Sequence, residues 1–577
     1  MSNNIQFGNF QLDGYTVRLF GTSSKLDTDQ LIQGLVEAKR IPAVRFENRI
    51  SRNEARIAAL EEMRGLLQDL QAAVAGLRNP PGYFGVEDNL FENKDVFFSS
   101  NTTTAPADLL AVSAANRAQP QSFDLVVERI AKAHKLSSDG VQAPDQLLRD
   151  AFNGGTDFSG TFALGLAGGS TAQVTVDGTM TIYDLRDAIN AVADVSGVRA
   201  SVLKVSDTDY RLVLSAEETG KAITFSQVSG DPVTDIVGFT TSGGAIKNEL
   251  QAAETALIQL DGVQIERTSN VIDDVLEGVT FNLFQADPNT TVTVSIERSA
   301  AAAKQAIVGF VEAYNAFRDF VDVHRSIDEQ GQVAEEAVLF GERVLREVTS
   351  AVSSIVTGSV DGLAASAPKS LAEIGITMDD RNRLVIDENR LDTALVQDFD
   401  GVRRIFEFAF DADSPDLTPY TRTNALQDRN FTVEIVDSDG DGVIESATLD
   451  GVAADVSGGT ITGAAGTPYE GLVMIWTGQG NATINVSITQ GLADRLYNAL
   501  EGALDELDGS VNGRIEELEE EIERYREEIQ DIERRVETFR QSLIDRFAAL
   551  EEQMALLDGM LSQVRSMADA MFGSRKD

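Results

Sequence analysis

The sequence predicts an α+β multidomain protein in which the N- and C-terminal segments form a helical coiled-coil leg, with β-rich head domains in between. Three observations predict this class. The C-terminal segment carries an apolar heptad pattern, the N-terminal segment carries a second helical pattern, and the residues between them alternate as strands do, separated by turn-forming clusters. Both chain ends are therefore expected to return to the same side of the β-rich part.

The C-terminal segment from Arg514 onward has the pattern of a coiled coil. Its apolar residues recur at alternating steps of three and four, which keeps one stripe facing a partner helix. They are Ile515, Leu518, Ile522, Tyr525, Ile529, Ile532, Val536, Phe539 and Leu543, and the series continues through Phe547, Leu550, Met554, Leu557, Leu561 and Val564. No proline or glycine interrupts residues 514–558, so we expect a rod of about 65 Å or more. Its many charges are interpreted as a solvated outer face with Glu/Arg pairs.

The N-terminal segment begins with a polar stretch, residues 1–24, that is expected to be mobile. The pattern after it predicts two helices. The first helix has Asp27 or Thr28 as its N-cap, and Pro42 ends or bends it. The second carries apolar residues at helical spacing, namely Ile50, Ile57, Leu60, Met63, Leu67, Leu70, Val74 and Leu77. This helix could pair with the rod of the same chain, or the rods of two chains could pair as a parallel dimer. The returning topology favours the first arrangement.

The pattern along the chain predicts eight parts. They are a flexible N-terminal segment with a short helix (1–45), an N-terminal leg helix (46–80), a β-rich head domain (81–125 and 250–300), a second β-rich head domain with one helix (126–249), a helical leg domain (301–409), a β-rich insertion (410–490), the C-terminal coiled coil (491–572) and a flexible tail (573–577). The helix of the second head domain is expected to begin near Thr181. Trp476, the only tryptophan, is expected in a core or sheet.

Composition excludes several classes of function. The net charge of −44 argues against binding nucleic acid or anionic membranes, because phosphate contacts require clustered Lys and Arg. There is no run of eighteen apolar residues, and no secretory signal is recognised at the N-terminus. The chain has no cysteine and two histidines, His134 and His324, which are expected at the surface or loosely packed. We therefore expect no enzyme and no cofactor.

One acidic loop resembles the start of a calcium-binding loop. In "DSDGDGVIESAT", Asp437, Asp439 and Asp441 occupy positions one, three and five, and Gly442 occupies position six. Position twelve is Thr448 where a bidentate glutamate is expected, and the preceding segment has a strand pattern. An acidic β-hairpin turn is therefore favoured over a weak calcium site.

The segments resemble, in order, the flagellar filament cap family, also called hook-associated protein 2 or FliD. The resemblance runs from "KLDTDQLIQGLVEAKRIPAVRFENRISRNEARIAAL" through "TIYDLRDAINAVADVSGVRASVLK", "LDGVQIERTSNVIDDVLEGVTFNL" and "SLAEIGITMDDRNRLVIDENRLDTAL" to "GTPYEGLVMIWTG" and the closing coiled coil. It departs from the family at Lys25, where a glycine is usual, and in the insertion around Asp437.

The resemblance implies a secreted structural protein that leaves through the flagellar export apparatus and forms a ring-shaped homo-oligomer at the distal filament tip. It implies that the ring retains exported flagellin and promotes its folding and insertion, as filament assembly and motility require. The implied partners are copies of the chain itself, flagellin, hook-associated junction proteins and an export chaperone at the C-terminus. The alternatives are a surface adhesin that binds host or mucin glycans through its β-rich heads, and another flagellar axial protein such as a hook-filament junction protein.

Overall fold

The computed structural model describes residues 10–13, 16–19, 28–82, 85–423 and 426–572. Contacts divide the chain into two compact units. The head unit contains Asn79–Ala306 and Pro419–Arg422, and the leg unit contains the other described residues. Long helices near both chain ends and strands in between confirm the predicted α+β class. The predicted flexible tail, the N-cap candidate Asp27 and most of the segment expected to be mobile lie outside the described residues.

The first long helix is continuous, so the prediction of two helices separated at Pro42 was wrong. Two short antiparallel strands, β1 Phe10–Asp13 and β2 Thr16–Leu19, precede it, and the helix α1 then runs Thr28–Ala75. A proline inside a helix costs about 3 kcal/mol. Val36 and Ala43, on either side of Pro42, pack against the last helix of the chain. That packing on both sides holds the helix together through the proline.

The chain then forms a series of strands with short helices between them. In order these are α2 Gly85–Asp88, a 3-10 turn Leu90–Glu92, β3 Lys94–Ser100, α3 Pro106–Leu109, β4 Leu110–Ala114, β5 Gln121–Arg129, β6 Ala133–Ser137, α4 Leu148–Phe152, β7 Ser159–Leu166, β8 Thr171–Asp177, α5 Ile182–Asn190, α6 Ala193–Ser196, β9 Val198–Ser206, β10 Asp209–Thr219, β11 Ile223–Gly230, α7 Val233–Ile236, β12 Glu249–Gln251, β13 Ala256–Leu260, β14 Val263–Arg267, β15 Val271–Leu276, β16 Val279–Leu283 and β17 Thr291–Arg298.

These strands build two β-rich cores within the head unit. One core lies between a five-stranded sheet, β14-β13-β5-β17-β3, and a three-stranded sheet, β15-β16-β4. The other is built on β12-β6-β10-β9 and β11-β7-β8, with α5 packed against it. The predicted boundary at residue 126 falls inside β5, whose Leu125 and Val127 both belong to the first core. The alternating burial of one strand places both residues on the same face of one sheet, so the boundary lies after β5.

Local sequence explains two features of the head unit. The helix α5 begins after Thr181, as predicted, because Thr181 and Asp184 form a reciprocal capping box that satisfies free backbone amides. The hairpin between β13 and β14 turns at Asp261 and Gly262, which have φ angles of 47° and 85°. An Asp-Gly pair with positive φ at both residues is the preferred two-residue hairpin turn.

Both histidines are buried, so the prediction that they lie at the surface or pack loosely was wrong. His134 accepts a hydrogen bond at Nδ1 from the Ile223 amide at 2.8 Å, and its Nε2 lies 3.0 Å from an oxygen of Glu249. His324 packs edge-on against Phe320, and burial lowers the pKa of its imidazole. His134 therefore bridges strands, and His324 belongs to a helix core.

From Ala300 the chain returns to helices and adds one further sheet. In order the elements are α8 Ala300–His324, α9 Arg343–Thr357, a 3-10 turn Leu371–Ile374, β18 Ile376–Met378, β19 Leu384–Ile386, α10 Glu388–Gln397, α11 Phe399–Phe406, β20 Phe408–Ala412, β21 Leu417–Thr421, β22 Arg429–Val436, β23 Ser446–Leu449, β24 Val452–Ser457, β25 Thr460–Thr462, β26 Val473–Trp476, β27 Ala482–Gln490, α12 Leu492–Leu504 and α13 Ser510–Phe572. The sheet order is β20-β27-β22-β23-β24-β25-β26-β21. Trp476 is buried in this sheet, as predicted.

The predicted C-terminal coiled coil, 491–572, consists of two helices, α12 and α13. The break lies between α12 and α13, where an oxygen of Asp505 accepts hydrogen bonds from the amides of Leu507 and Asp508. Such side-chain bonds to nearby amides compete with helical hydrogen bonds and favour a turn. The long uninterrupted helix starts at Ser510, close to the predicted start of the rod at Arg514.

Candidate functional site

The candidate site is the leg that α1 and α13 form within one chain. Ile32 near the start of α1 packs with Leu543 and Ile544, and Ala43 packs with Ile532 and Val536. Along the contact, residue numbers increase on α1 while they decrease on α13, so the two helices are antiparallel. The first arrangement predicted from the sequence, pairing within one molecule, is the one observed.

The predicted leg residues divide between two helix partners. On α13, six of them are buried (Ile515, Leu518, Ile522, Ile532, Val536 and Leu543) and three are half-buried (Tyr525, Ile529 and Phe539). On α1, Ile50 and Ile57 are half-buried, whereas Leu60, Leu67, Leu70 and Val74 are buried, as is Leu77 just after the helix. The rod prediction treated all of the α1 residues as facing one partner. Arg64 of α1 still reaches α13, where its guanidinium donates to Asn512 Oδ1 at 3.3 Å, and the last turns of α1 instead pack on α12.

A buried ion pair marks the α1–α12 contact. The Arg78 guanidinium donates to Asp494 Oδ1 at 3.0 Å, and Asp494 is fully buried. The guanidinium also lies 3.9 Å from the ring centre of Tyr497, a cation–π contact. Sequence reasoning did not identify this pair. Its two residues are far apart in the sequence, and neither belongs to a recognisable motif.

Polar contacts line the rim of the α1–α13 seam. Arg40 Nε donates to Glu533 at 2.6 Å, and Asn53 Nδ2 donates to Glu521 at 3.0 Å. The Arg49 guanidinium lies over the ring of Tyr525 at 5.7 Å. Hydrogen bonding to Glu533 and the nearby charge of Glu47 raise the pKa of Arg40. The seam therefore has an apolar centre and charged edges that remain in water.

The far end of α13 extends beyond the start of α1. Apolar residues of the predicted series are exposed there, with Leu557, Leu561 and Val564 at 58%, 57% and 61% exposure. Phe547 and Met554 are half-buried. Among the described residues no element covers the exposed stripe. The predicted series is therefore a seam up to about Phe547 and an open apolar face after it.

The acidic loop is closed by backbone amides. Ligand oxygens of Asp437, Asp439 and Asp441 lie within 4.8 Å of one another. The buried Asp437 carboxylate, however, accepts hydrogen bonds from the amides of Gly440, Gly442 and Gly480. These bonds, that from Gly480 first, hold the pKa of Asp437 below its usual value. Because amides already occupy both oxygens of Asp437, the donor set fits a cation poorly.

No helix among the described residues has both the length and the apolar content required to cross a membrane.

Three family models match the chain. The model described as the C-terminus of flagellar hook-associated protein 2 matches residues 253–558, and the model of the N-terminus matches residues 24–134. A third, the flagellin hook IN motif, matches residues 161–218, which lie in the head unit.

Similar proteins carry the same description. The B-type flagellar hook-associated protein 2 of Pseudomonas aeruginosa is 25% identical over 370 residues, covering 61% of this chain and 72% of the relative. The flagellar hook-associated protein 2 of Escherichia coli K12 is 26% identical over 401 residues, covering 67% and 79%. The crystal structure of the D1-D2-D3 domains of the E. coli cap protein FliD covers 60% of this chain and 89% of its own, at 26% identity and a TM-score of 0.47.

The C-terminal family model alone covers more than half of the chain. The N-terminal model covers the whole of α1, and the C-terminal model covers α13 up to residue 558, so the two models include both helices of the leg. The chain therefore belongs to the flagellar hook-associated protein 2 family, the FliD cap proteins.

Proposed function

We propose that this chain is the structural cap of a bacterial flagellar filament. Copies of it form a ring at the distal tip, retain exported flagellin there, and promote the folding and insertion of each new subunit. The observation that carries the proposal is the leg, in which α1 and α13 of one molecule pair, in a chain that belongs to the cap family.

The composition of the leg suits a cap that must rearrange as the filament grows. An exposed ion pair contributes only about 0.2 to 1 kcal/mol, so pairs at the edges of the seam can be exchanged at small cost. The apolar seam residues keep each leg intact during such exchanges. We infer that the chain acts by holding and positioning other subunits and catalyses no reaction.

The proposed partners follow from this role. They are other copies of the chain, flagellin, the hook-associated junction proteins, and an export chaperone that binds the C-terminus before secretion through the flagellar export apparatus. The exposed apolar face near Leu557 and Leu561 supports the chaperone proposal, because such a face aggregates unless another protein covers it.

Deleting the gene for this chain in the bacterium that encodes it tests the proposal. We expect short or missing filaments, loss of swimming, and unpolymerised flagellin in the medium. A wild-type copy should restore all three, and gold-labelled antibody against the chain should mark filament tips in electron micrographs. A copy that ends at Gly513 lacks nearly all of α13 and should not restore them.

Normal filaments in the deletion strain would contradict the proposal. Labelling along the filament shaft, or only at the cell surface, would contradict the tip location. Secretion of the shortened copy is the necessary control, since a chain that is not exported cannot cap.

A further inference from the structure

One flank of α1 carries a row of arginines. Arg45, Arg49, Arg52 and Arg56 are separated by steps of four, three and four, so they lie on one face of the helix. The first three are exposed. Arg56 lies 3.8 Å from Glu342, whereas no described carboxylate pairs with Arg45 or Arg52. The row therefore presents positive charge to solvent on a chain whose net charge is −44.

One flank of α13 carries a row of glutamates with the same spacing. Glu516, Glu520, Glu523 and Glu527 are also separated by four, three and four. The first three line a groove of about 780 Å³ whose floor includes Ile57 and Ile522. Within the described part of the chain, Glu523 pairs with Arg526, and the other three have no ion-pair partner.

The two rows lie on opposite flanks of the leg. Glu54 of α1 lines the glutamate groove, and it follows Arg52 by two residues, about 200° around the helix. The arginine row lies on the other flank, where Arg49 covers Tyr525 and Arg56 approaches Glu342. The two rows of one leg therefore cannot meet each other. The arginine row of one leg can, however, meet the glutamate row of a neighbouring leg.

The two rows also lie at nearly the same height along the leg. The bonds from Asn53 to Glu521 and from Arg40 to Glu533 fix which residues of α1 and α13 are level. The centre of the arginine row is level with a point on α13 about two residues from the centre of the glutamate row, a shift of about 3 Å. Extended Arg and Glu side chains span such a shift.

We propose that the arginine row of one copy of this chain docks on the glutamate row of the next copy. The partner is a second copy of this chain, and the inference rests on the proposed ring and names one of its contacts. Two different surfaces meet, so the contact is heterologous, and such contacts close into a ring when the copies are related by rotation alone. Because the two rows lie at nearly the same height, neighbouring copies can be related by rotation about the ring axis with no shift along that axis.

The contact has a definite chemical character. Charge complementarity across it gives specificity and sets the register through the shared spacing of the two rows. Because the groups are exposed, salt weakens the contact, and legs can part and re-form while the apolar seam inside each leg stays closed.

Crosslinking tests the contact directly, because the chain has no cysteine of its own. Full-length Arg52→Cys and full-length Glu523→Cys are prepared separately, mixed, and treated with a short bismaleimide. A mixed dimer linked between positions 52 and 523 is expected, and it must be intermolecular because each chain carries one cysteine. Raising the sodium chloride concentration should lower the yield.

Charge-reversal variants provide a second test of the same contact. A variant in which Arg45 and Arg49 are changed to Glu, carried on Arg52→Cys and mixed with Glu523→Cys, should lose the leg crosslink about tenfold or more, because like charges then face each other. A second variant in which Glu516 and Glu520 are changed to Arg, carried on Glu523→Cys, should lose the crosslink in the same way when it is mixed with Arg52→Cys. A mixture of the two restores complementary pairs at every contact of an alternating ring, so the crosslink should return.

The matched control reverses Arg535, Arg546 and Arg565, exposed arginines of α13 outside both rows, and should leave the crosslink unchanged. Circular dichroism confirms that each variant is folded.

If wild-type chains associate but positions 52 and 523 never link, or if the charge-reversed variants crosslink as well as the unreversed cysteine variants, the leg contact is wrong and the ring proposal stands. If wild-type chains do not associate under any condition, both fail. Crosslinking of these positions only to added flagellin would also overturn the inference.

Discussion

At the end of α1, the buried pair of Arg78 and Asp494 fixes where the N-terminal helix meets α12. Arg78 lies three residues beyond the last residue of α1, and its carbonyl accepts a hydrogen bond from the Phe408 amide at 3.1 Å. Gln490 Nε2 lies 3.4 Å from the second oxygen of Asp494. One side chain thus joins a helix end to the start of another helix beside the large sheet.

Changing Asp494 to Ala should lower the free energy of unfolding of the leg unit by about 3 to 5 kcal/mol, because it removes the carboxylate that faces a buried guanidinium. Urea titration followed by circular dichroism measures the loss. The double variant Arg78→Met/Asp494→Leu should recover much of it, since an apolar pair replaces the charges. A single variant as stable as wild type would show that the pair contributes little.

Asp437 should make stability depend on pH. Its backbone hydrogen bonds lower its pKa in the folded state. Its contribution is therefore complete above the unfolded pKa of about 3.9 and is lost as the pH falls through the lower, folded value. Asp437→Asn should be less stable than wild type at neutral pH, and the difference should shrink in acid. Melting temperatures across the pH range measure this, with exposed Asp439→Asn as control; a constant difference would contradict it.

The same loop should hold its shape without a cation, because amides rather than metal bind the Asp437 oxygens. Weak extracellular calcium sites bind at about 0.1 to 1 mM. We expect equal melting temperatures of the full chain in EDTA and in several millimolar calcium. A calcium-dependent rise that Asp437→Asn abolishes would establish the weak site instead.

At the scale of elements, the α1–α13 pair depends on a few apolar contacts across a charged surface. Ile532 is 6% exposed and packs on Ala43, whereas Leu561 on the same helix is 57% exposed. The helix is therefore held by its partner along one part of its length and open to solvent along another.

Ile532→Ala should lower the free energy of unfolding of the leg by about 2 kcal/mol or more, the usual loss for a buried isoleucine. Leu561→Ala, the matched exposed change, should alter it by no more than about 0.5 kcal/mol. Urea titration of both variants beside wild type tests the difference. Equal effects would mean that Ile532 is not part of a closed seam.

The sequence predicted elements with strong local patterns and failed where distant contacts decide. The heptads of α13, the capping box at Thr181 and the alternating strands are local, and the structure contains them. The continuity of α1 through Pro42 could not be read locally, because packing on α13 decides it. The pairing of Arg78 with Asp494 and the burial of His134 likewise depend on residues far away in the sequence.

At the scale of the whole molecule, family membership separates the alternatives. An adhesin without a capping role, and a hook-filament junction protein, were both alternatives to a cap. The hook-associated protein 2 models match both the N-terminal and the C-terminal segment, which favours neither alternative. The pairing of the two chain ends is the physical feature on which the cap proposal depends.

The most direct test of that pairing is a crosslink across the seam in the full-length chain. Arg40 and Glu533 touch at its exposed rim, and the chain has no other cysteine to react when both are replaced by cysteine. With Arg40→Cys/Glu533→Cys and a short bismaleimide in dilute solution, we predict an internally linked product with the mass of one chain. A link that forms only between two chains, or no link at all, would contradict the account.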